Sequence, residues 1–374
     1  ILAGIFLRFY NLNFDNLWYD EIISFWVTSE QHSFYESYKI HEDIEIAPYT
    51  YNLILKIFFS IFGYDVNLGR YLPATFSSLT IITTYFLAKK LSNHKNYILP
   101  VFLVSFNIFL ISYSQEMRVY SLLIFFGSLS LLFFFNLLND KPKKKDALYF
   151  FISLLIFISL HIFSLFLVGG FIAYLILVFL KKKEKYIYIN FTLSLISIIC
   201  ISYYIPYILN FSSNLDTNLD INYSWNELPK LSFYTNFYFS NFFGSRLVGI
   251  IFLISLLFLI GKNKELFLKC EIPLLLLLVI LIGYSIPLIF GYLFKPILLP
   301  RYVSYLLIFI ILLISILTSN LQSRNARKYL SLFLILITLG NLVTEQTIKQ
   351  FYKKERVATK PEYEKAIKFI NQSN

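Results

Sequence analysis

Residues 271–293 read EIPLLLLLVILIGYSIPLIFGYL, a block whose only charged side chain is at its first position. A helix needs about 20 apolar residues to cross the roughly 30 Å hydrocarbon core of a bilayer. A helix also satisfies all its backbone polar groups internally, as a segment without access to water must. The block therefore predicts a transmembrane helix.

Comparable apolar blocks recur along the chain, at 71–88, 97–113, 118–138, 147–162, 163–180, 187–209, 246–261, 301–318 and 329–344. The chain also begins at Ile1 inside an apolar stretch, which we interpret as a first helix that has lost its start. Together these segments predict about eleven spans. Of 374 residues, 57% are hydrophobic and only 15% are charged, too few charges to cover a soluble domain of this size. The composition predicts an all-α polytopic membrane protein.

Positive charge is concentrated in short clusters between pairs of apolar blocks. The clusters are Lys89, Lys90 and Lys95; Lys141 and Lys143 to Lys145; Lys181 to Lys183 and Lys185; Lys262, Lys264 and Lys269; and Arg324, Arg327 and Lys328. Two blocks separate each cluster from the next, so all of them can face the cytoplasm, as the positive-inside rule requires. The net charge of +11 is therefore explained by topology, not by a nucleic-acid partner. We expect a multi-pass protein of a bacterial plasma membrane.

The segment from Tyr10 to Arg70 is predicted to form a large first outer loop. Within it, Pro48 to Gly63 would make a helix of about 24 Å, too short for a span. Counting it as a span would also invert the side of every later cationic cluster, so we expect a helix lying in the membrane surface. After the last block the chain turns polar and lysine-rich. We therefore divide it into a membrane domain, 1–344, and the start of a C-terminal extracytoplasmic domain, 345–374.

The first candidate site is the carboxylate pair in Leu17-Trp18-Tyr19-Asp20-Glu21, directly after the first span. Adjacent helical residues point about 100° apart, so one carboxylate can enter a cleft while the other binds a helix end or a basic partner. A partly desolvated carboxylate is a better general base. The alternative is an interfacial turn in which the aromatic residues anchor the membrane boundary and Asp20 caps a helix.

A second outward turn carries Glu116 and Arg118 at the start of a span. The simpler interpretation is ordinary helix initiation, with Ser112 and Gln115 as a capping box. The sharper interpretation notes that a cation near a helix N-terminus is disfavoured by the helix dipole, which suggests a bound anion.

Pro300-Arg301 predicts a similar site at the start of a later helix. Pro300 suits the first turn of that helix, and a guanidinium beside free backbone amides makes a good phosphate site. A snorkelling interfacial arginine is the alternative. Lys295 upstream can serve the same anion or anchor the interface, and His161, at the outward end of a span, is either a ligand or a packing residue.

Metal and acceptor sites are less defined. His41-Glu42-Asp43-Ile44-Glu45 can hold a divalent cation or can be a solvated loop. The outer loop 211–245 contains acidic and aromatic residues that can contact an acceptor or lipid. The two cysteines, Cys200 and Cys270, form no metal or disulfide pattern.

The ordered set of motifs resembles the GT-C superfamily of membrane glycosyltransferases. The closest pattern is the branch of the dolichyl-phosphate-mannose protein mannosyltransferases and the lipid A aminoarabinose transferases. The matching pieces are the Asp-Glu pair at 20–21, Ala47-Pro48-Tyr49-Thr50-Tyr51 (family Pro-Pro-Leu-Tyr-Tyr), Gly69-Arg70-Tyr71-Leu72-Pro73 (Arg-Leu-Pro), Tyr113 to Tyr120 (Tyr-Ser-Gln-Glu-x-Arg-x-Tyr), His161 and Pro300-Arg301-Tyr302. Ala47 departs from the family pattern, which has proline there.

The resemblance implies a GT-C-like bundle of about eleven transmembrane helices, with in-plane helices in its first outer loop. It also implies inverting transfer of a hexose-type sugar from a polyprenyl-phosphate donor to a protein, lipid or glycan acceptor, without a nucleotide sugar and with Asp20 as the general base. The catalytic candidates are Asp20, Glu21 and Glu116, and the candidates for the donor phosphate are Arg118, His161, Lys295 and Arg301. The resemblance assigns no cofactor and leaves a divalent cation open.

Two other classes of protein remain open. A transporter or flippase would move a lipid-linked sugar without chemistry, but the span interiors are nearly free of charge and the titratable residues gather on one face. A non-catalytic subunit of an envelope-glycan assembly also fits the sequence.

Overall fold

A computed structural model of the protein describes residues 1–13, 16–45, 47–91, 97–138, 142–181, 189, 192–199, 204, 241–269, 272–294 and 296–344. These residues form helices and connecting turns and contain no β-strand, which confirms the all-α prediction.

The N-terminal segment contains one short helix and four loop helices. They are α1 (Leu2–Phe9), α2 (Tyr19–Val27), α3 (Phe34–Ile44), α4 (Thr50–Phe62) and α5 (Val66–Gly69). Local sequence explains where α3 begins, because Ser33 and Glu36 close a reciprocal capping box. Gly63 ends α4 with a φ of 101°, a conformation that glycine adopts without strain.

The remaining helices form the bundle. They are α6 (Tyr71–Leu91), α7 (Ile98–Phe106), α8 (Ile108–Ser114), α9 (Tyr120–Leu137), α10 (Lys144–Leu160), α11 (Leu165–Lys181), α12 (Arg246–Lys262), α13 (Lys264–Leu268), α14 (Ile272–Leu293), α15 (Leu306–Ser319) and α16 (Arg324–Leu342). A single 3₁₀ turn, Ile162–Ser164, joins α10 to α11. Residues 192–199 are helical as well.

Helix α15 is the centre of the bundle, and every one of its residues is buried. Its sequence, LLIFIILLISILTS, is apolar on all sides, as a helix enclosed by other helices must be. It packs against α14, α7 and α12, while α9 packs against α6 and α10. The loop helices α2 to α5 lie at one end of this bundle, which we call the loop end.

Most predicted blocks coincide with helices to within a few residues, but the block at 97–113 is broken. Asn107 has an extended backbone, with a ψ of 122°, and divides the block into α7 and α8. Its side chain accepts a hydrogen bond from the Leu110 backbone N–H (3.0 Å) and donates one to the Phe242 carbonyl (2.9 Å). The break is therefore stabilised by an N-cap and by a contact with a distant segment.

Two described helices, α9 and α14, are long and apolar enough to cross a membrane by themselves. Several others, such as α10 and α11, have 17 residues, just below the usual length. The count of about eleven spans therefore stays a prediction.

Helix α4 covers most of the segment that we expected in the membrane surface, and Lys56 in its middle has a clear structural role. Lys56 is buried and its Nζ donates to the carbonyls of Ser29 (2.8 Å) and His32 (2.7 Å), at the turn between α2 and α3. Lys56 thus ties α4 to its neighbours and satisfies carbonyls that the turn leaves open.

Candidate functional site

The two adjacent carboxylates of α2 take different directions. The helix begins at Tyr19 with Trp18 as its N-cap, so the expectation that Asp20 caps a helix is wrong. Glu21 instead reaches back to the Trp18 backbone N–H (3.4 Å). Asp20 points to Arg301, across the loop end.

Glu21 is fully buried and both of its oxygens are engaged by protein groups. Arg70 donates from Nε and Nη2 at 2.9 Å each, a two-point contact that fixes both side chains. The backbone N–H of Met117 donates to Oε1 at 2.7 Å. Glu21 therefore joins the start of α2, the start of α6 and the turn that carries Glu116 and Arg118.

Asp20 and Arg301 form an ion pair that faces the surface of the loop end. Nη1 of Arg301 lies 3.3 Å from Oδ2 of Asp20, and the two side chains are 25% and 22% exposed. Aromatic rings surround the guanidinium: its central carbon lies 5.3 Å from the ring centre of Trp18, 5.9 Å from Tyr120 and 5.5 Å from Tyr302. Such faces hold a cation without neutralising its charge.

Arg118 is fixed at the same place by three acceptors on one nitrogen. Its Nη1 donates to the Asp20 carbonyl (3.1 Å), the Ser24 hydroxyl (2.8 Å) and Oε1 of Glu45 (2.8 Å). Burial is the largest single influence and acts to lower the pKa of Arg118, but the interactions with Glu45, Tyr120 and Asp20 together outweigh it, so the pKa is raised. Arg118 thus carries a full positive charge in a nearly dry environment.

His41 contacts Glu45 and helps to hold its carboxylate in place. The two side chains approach to 3.5 Å, while Nε2 of His41 contacts the Ala47 carbonyl (2.6 Å) and Nδ1 contacts the Asn52 amide (2.9 Å). Burial is the main cause that lowers the pKa of His41. The row from Asn52 through His41 and Glu45 holds Arg118 in position.

The Nε donor of each arginine is unused within the described residues. Nε of Arg118 and Nε of Arg301 are buried, and neither has a hydrogen-bond acceptor among the described residues. A buried guanidinium N–H without an acceptor costs free energy, so it marks a place where an anion would bind favourably. The arrangement can therefore hold an anion beside the carboxylate of Asp20.

His161 lies beside this pair, between α10 and the 3₁₀ turn. Its ring lies 4.8 Å from the ring of Tyr302, and its Nδ1 accepts a hydrogen bond from the Phe163 backbone N–H (3.2 Å). That bond assigns the proton to Nε2. Burial, with the positive charges of Arg118 and Arg301, lowers the pKa of His161 to about 3. His161 is therefore a neutral hydrogen-bond donor and not a second cation.

The turn before α9 does not have the capping box that the sequence suggested. The capping box of Ser112 and Gln115 is wrong, because both residues lie at the end of α8. The Gln115 amide instead donates to the carbonyls of Leu7, Arg8 and Tyr10, at the end of α1. Glu116 is half-buried in the turn, within electrostatic reach of Tyr113.

The prediction that Pro300 starts a helix is wrong, because α15 begins only at Leu306. Residues 300–305 form consecutive turns, and Arg301 reaches Asp20 from these turns. Lys295, most of the loop 211–245 and residues 345–374 lie outside the described residues, so their predicted roles stay predictions.

No group of three or more His, Cys, Asp or Glu side chains within the described segments is arranged to hold a metal ion. His41 and Glu45, which we considered as metal ligands, contact each other, and Glu45 pairs with Arg118.

Sequence reasoning missed three parts of this site. Arg70 appeared only as a motif residue, Glu45 only as part of an acidic run, and the aromatic surroundings of Arg301 were not foreseen. Each depends on contacts between residues that lie far apart in the sequence. The separation is 49 residues for Arg70 and Glu21, and 73 residues for Arg118 and Glu45. A buried arginine requires a counter-charge, which is the signal that points to Glu45.

No protein-family model matches the chain, and no curated protein sequence matches it. Its fold is nevertheless shared by solved structures of ArnT from Cupriavidus metallidurans. The structure bound to undecaprenyl phosphate aligns with 91% of this chain and 62% of that chain, at a TM-score of 0.60 and 12% identity. The apo structure aligns with 76% and 51%, at a TM-score of 0.53 and 13% identity. This chain thus covers less than two thirds of the ArnT chains. The likeness confirms an all-helical, ArnT-like fold, whereas the number of transmembrane helices stays a prediction.

Proposed function

We propose that the protein is a membrane glycosyltransferase that moves a hexose-type sugar from a polyprenyl-phosphate donor to an acceptor hydroxyl. The observation that carries this proposal is the pair of buried arginine Nε donors without described acceptors, next to the carboxylate of Asp20. A phosphate needs fixed cations, and a hydroxyl nucleophile needs a base at the same place. The ArnT-like fold, seen in a neighbour bound to undecaprenyl phosphate, supports the choice of donor.

In the proposed reaction Asp20 accepts the proton of the acceptor hydroxyl. The acceptor oxygen attacks the anomeric carbon from the side opposite the phosphate, and the configuration inverts. The bond between that carbon and the phosphate oxygen breaks, and its electron pair stays on the phosphate. Polyprenyl phosphate leaves with one more negative charge, which Arg118 and Arg301 stabilise. His161 donates a neutral hydrogen bond to the donor.

Glu21 has a different proposed role, because its oxygens are occupied by Arg70 and the Met117 N–H. We assign it as a positioning residue for the turn that carries Arg118. Glu116 stays a candidate for a second acidic role in the same turn.

The site would lie on the extracytoplasmic face of a bacterial plasma membrane. Described lysines and arginines, among them Lys89, Lys262 and Arg324, lie at ends of bundle helices, as the positive-inside rule requires of cytoplasmic loops. A donor with an isoprenoid tail and a charged head group would reach the loop end from within the bilayer.

The experiment that tests this function measures release of free polyprenyl phosphate by the purified protein in nanodiscs. The donors are a panel of polyprenyl-phosphate hexoses and pentoses, with cell-envelope extract as the acceptor source. We expect turnover with at least one donor and a loss of about 100- to 10,000-fold in Asp20→Asn, the range that a general base contributes. Glu30→Gln, which changes an exposed carboxylate of the same loop, should retain activity.

Three outcomes would contradict the proposal or a part of it. Full turnover by Asp20→Asn would remove Asp20 from the base role. Binding of donors without any turnover, together with movement of the lipid-linked sugar between leaflets, would favour the transporter. The same binding without movement would favour a non-catalytic assembly subunit.

A further inference from the structure

The two arginines of the site differ in how firmly the protein holds them. Arg118 has three acceptors on one nitrogen, two of them at 2.8 Å, the usual length for a charge-assisted hydrogen bond. The one hydrogen bond described for Arg301 goes to Oδ2 of Asp20 at 3.3 Å, longer than that range. Arg118 is therefore anchored, whereas Arg301 is loosely paired inside its aromatic surroundings.

The loose pair engages one of the two carboxylate oxygens of the proposed base. While Nη1 of Arg301 donates to Oδ2 of Asp20, a lone pair of that oxygen is used and its negative charge is stabilised. The guanidinium therefore occupies one of the positions from which a hydroxyl could donate to Oδ2. The structure thus shows the proposed base held by the cation that is proposed to bind the phosphate.

We propose that the phosphate of the donor takes Arg301 away from Asp20, and that this exchange of ion-pair partner activates the base. The proposal rests on the proposed function and adds an order to it, with the donor bound before the acceptor reacts. Arg118 stays on Glu45 and offers its free Nε to the phosphate. Arg301 turns from Asp20 to the same phosphate, and Oδ2 becomes available to the acceptor hydroxyl.

Charge is conserved in the transfer step. Binding of the donor phosphodiester first adds one negative charge to the pocket, and Arg301 pairs with this charge instead of with Asp20. When Asp20 takes the proton of the acceptor, the negative charge it loses reappears on the departing phosphate. Arg301 then already lies where the new charge develops, which is the arrangement that stabilises a transition state.

The exchange of ion-pair partner predicts a change in the affinity for polyprenyl phosphate that a site without this exchange would not show. Asp20 competes with the phosphate for Arg301. Removal of the Asp20 carboxylate should therefore strengthen binding of polyprenyl phosphate, although the same change removes the base that transfer needs. Undecaprenyl phosphate is titrated into the protein in phosphatidylcholine nanodiscs, and bound lipid is counted by native mass spectrometry. We expect Asp20→Asn and Asp20→Ala to bind roughly two- to fivefold more tightly than the unchanged protein, as fits a partly exposed ion pair.

The controls separate this proposal from the function on which it rests. Glu30→Gln removes a negative charge from the same loop without contacting either arginine, and should leave the affinity unchanged. Undecaprenol, which lacks the phosphate, should not distinguish the variants. If the unchanged protein does not bind undecaprenyl phosphate, the proposed function fails. If it binds, and the Asp20 variants bind equally or more weakly, or Glu30→Gln strengthens binding as much, the exchange is overturned and the function stands.

Discussion

At the residue scale, Asp20 and Glu21 show how far sequence reasoning reaches. The 100° rotation between neighbouring helical residues predicted that the two carboxylates would take different partners, and they contact Arg301 and Arg70. The identity of the partners was beyond prediction, because 49 and 281 residues separate the paired positions. Local geometry fixes the direction of a side chain, whereas only the tertiary fold decides what it meets.

The ion pair of Glu21 and Arg70 supports a prediction on stability. Its side chains are 0% and 3% exposed, and removal of one member of a buried pair leaves an uncompensated charge. Glu21→Gln should therefore destabilise the protein by about 3–5 kcal/mol, which appears as a lower midpoint of thermal unfolding in detergent. The double variant Glu21→Gln with Arg70→Gln should recover part of this loss, because no charge is then left alone.

The neighbouring carboxylate provides the matched control. Asp20 is partly exposed and loosely paired, so Asp20→Asn should change the same midpoint only slightly. Equal midpoints for Glu21→Gln and the unchanged protein would show that the buried pair does not hold the loop end together.

At the element scale, the helix break at Asn107 is the feature that periodicity could not reveal. The block at 97–113 is apolar throughout most of its length, and hydropathy does not distinguish a continuous helix from two short ones. Asn107 is a good N-cap residue, but an asparagine inside an apolar helix is also common enough to be uninformative. What decides the break is a set of contacts from other parts of the chain.

Arg8 of α1 is the strongest of these contacts. Its guanidinium is fully buried and donates to the carbonyls of Gly4 (2.8 Å), Val104 (3.0 Å) and Ser105 (3.1 Å) and to the Ser77 hydroxyl (2.7 Å). The carbonyls of Val104 and Ser105 lie at the end of α7, where the break removes their helical partners. A cation is also favoured at the C-terminal end of a helix dipole.

Substitution of Arg8 should therefore destabilise the junction of α1, α6 and α7. Arg8→Met leaves the two α7 carbonyls buried and unsatisfied, at about 1–3 kcal/mol each. Ser77→Ala, which removes one hydrogen bond of the same guanidinium, should cost only about 1 kcal/mol. Thermal unfolding followed by size-exclusion chromatography ranks the two variants, and a smaller effect for Arg8→Met than for Ser77→Ala would contradict this role.

At the scale of the whole molecule, the sequence predicted which parts would meet. The first outer loop, the turn before α9, His161 and Arg301 were all placed on one side by counting apolar blocks between cationic clusters, and their described residues do converge around Asp20. The number of spans was less predictable, since helices such as α7 and α8 are shortened by a break and others lie close to the length limit.

The sidedness of the molecule gives the last prediction. Tyr35, 68% exposed on α3, lies at the loop end, whereas the exposed Lys328 lies near the start of α16, within a cationic cluster. If the loop end is extracytoplasmic, a membrane-impermeant maleimide should label Tyr35→Cys in intact cells and Lys328→Cys only after permeabilisation. Both single cysteines are introduced after Cys200→Ser and Cys270→Ser, and labelling of permeabilised cells controls for reactivity. The reverse pattern would place the site on the cytoplasmic face and the cationic clusters on the outer face, against the positive-inside rule.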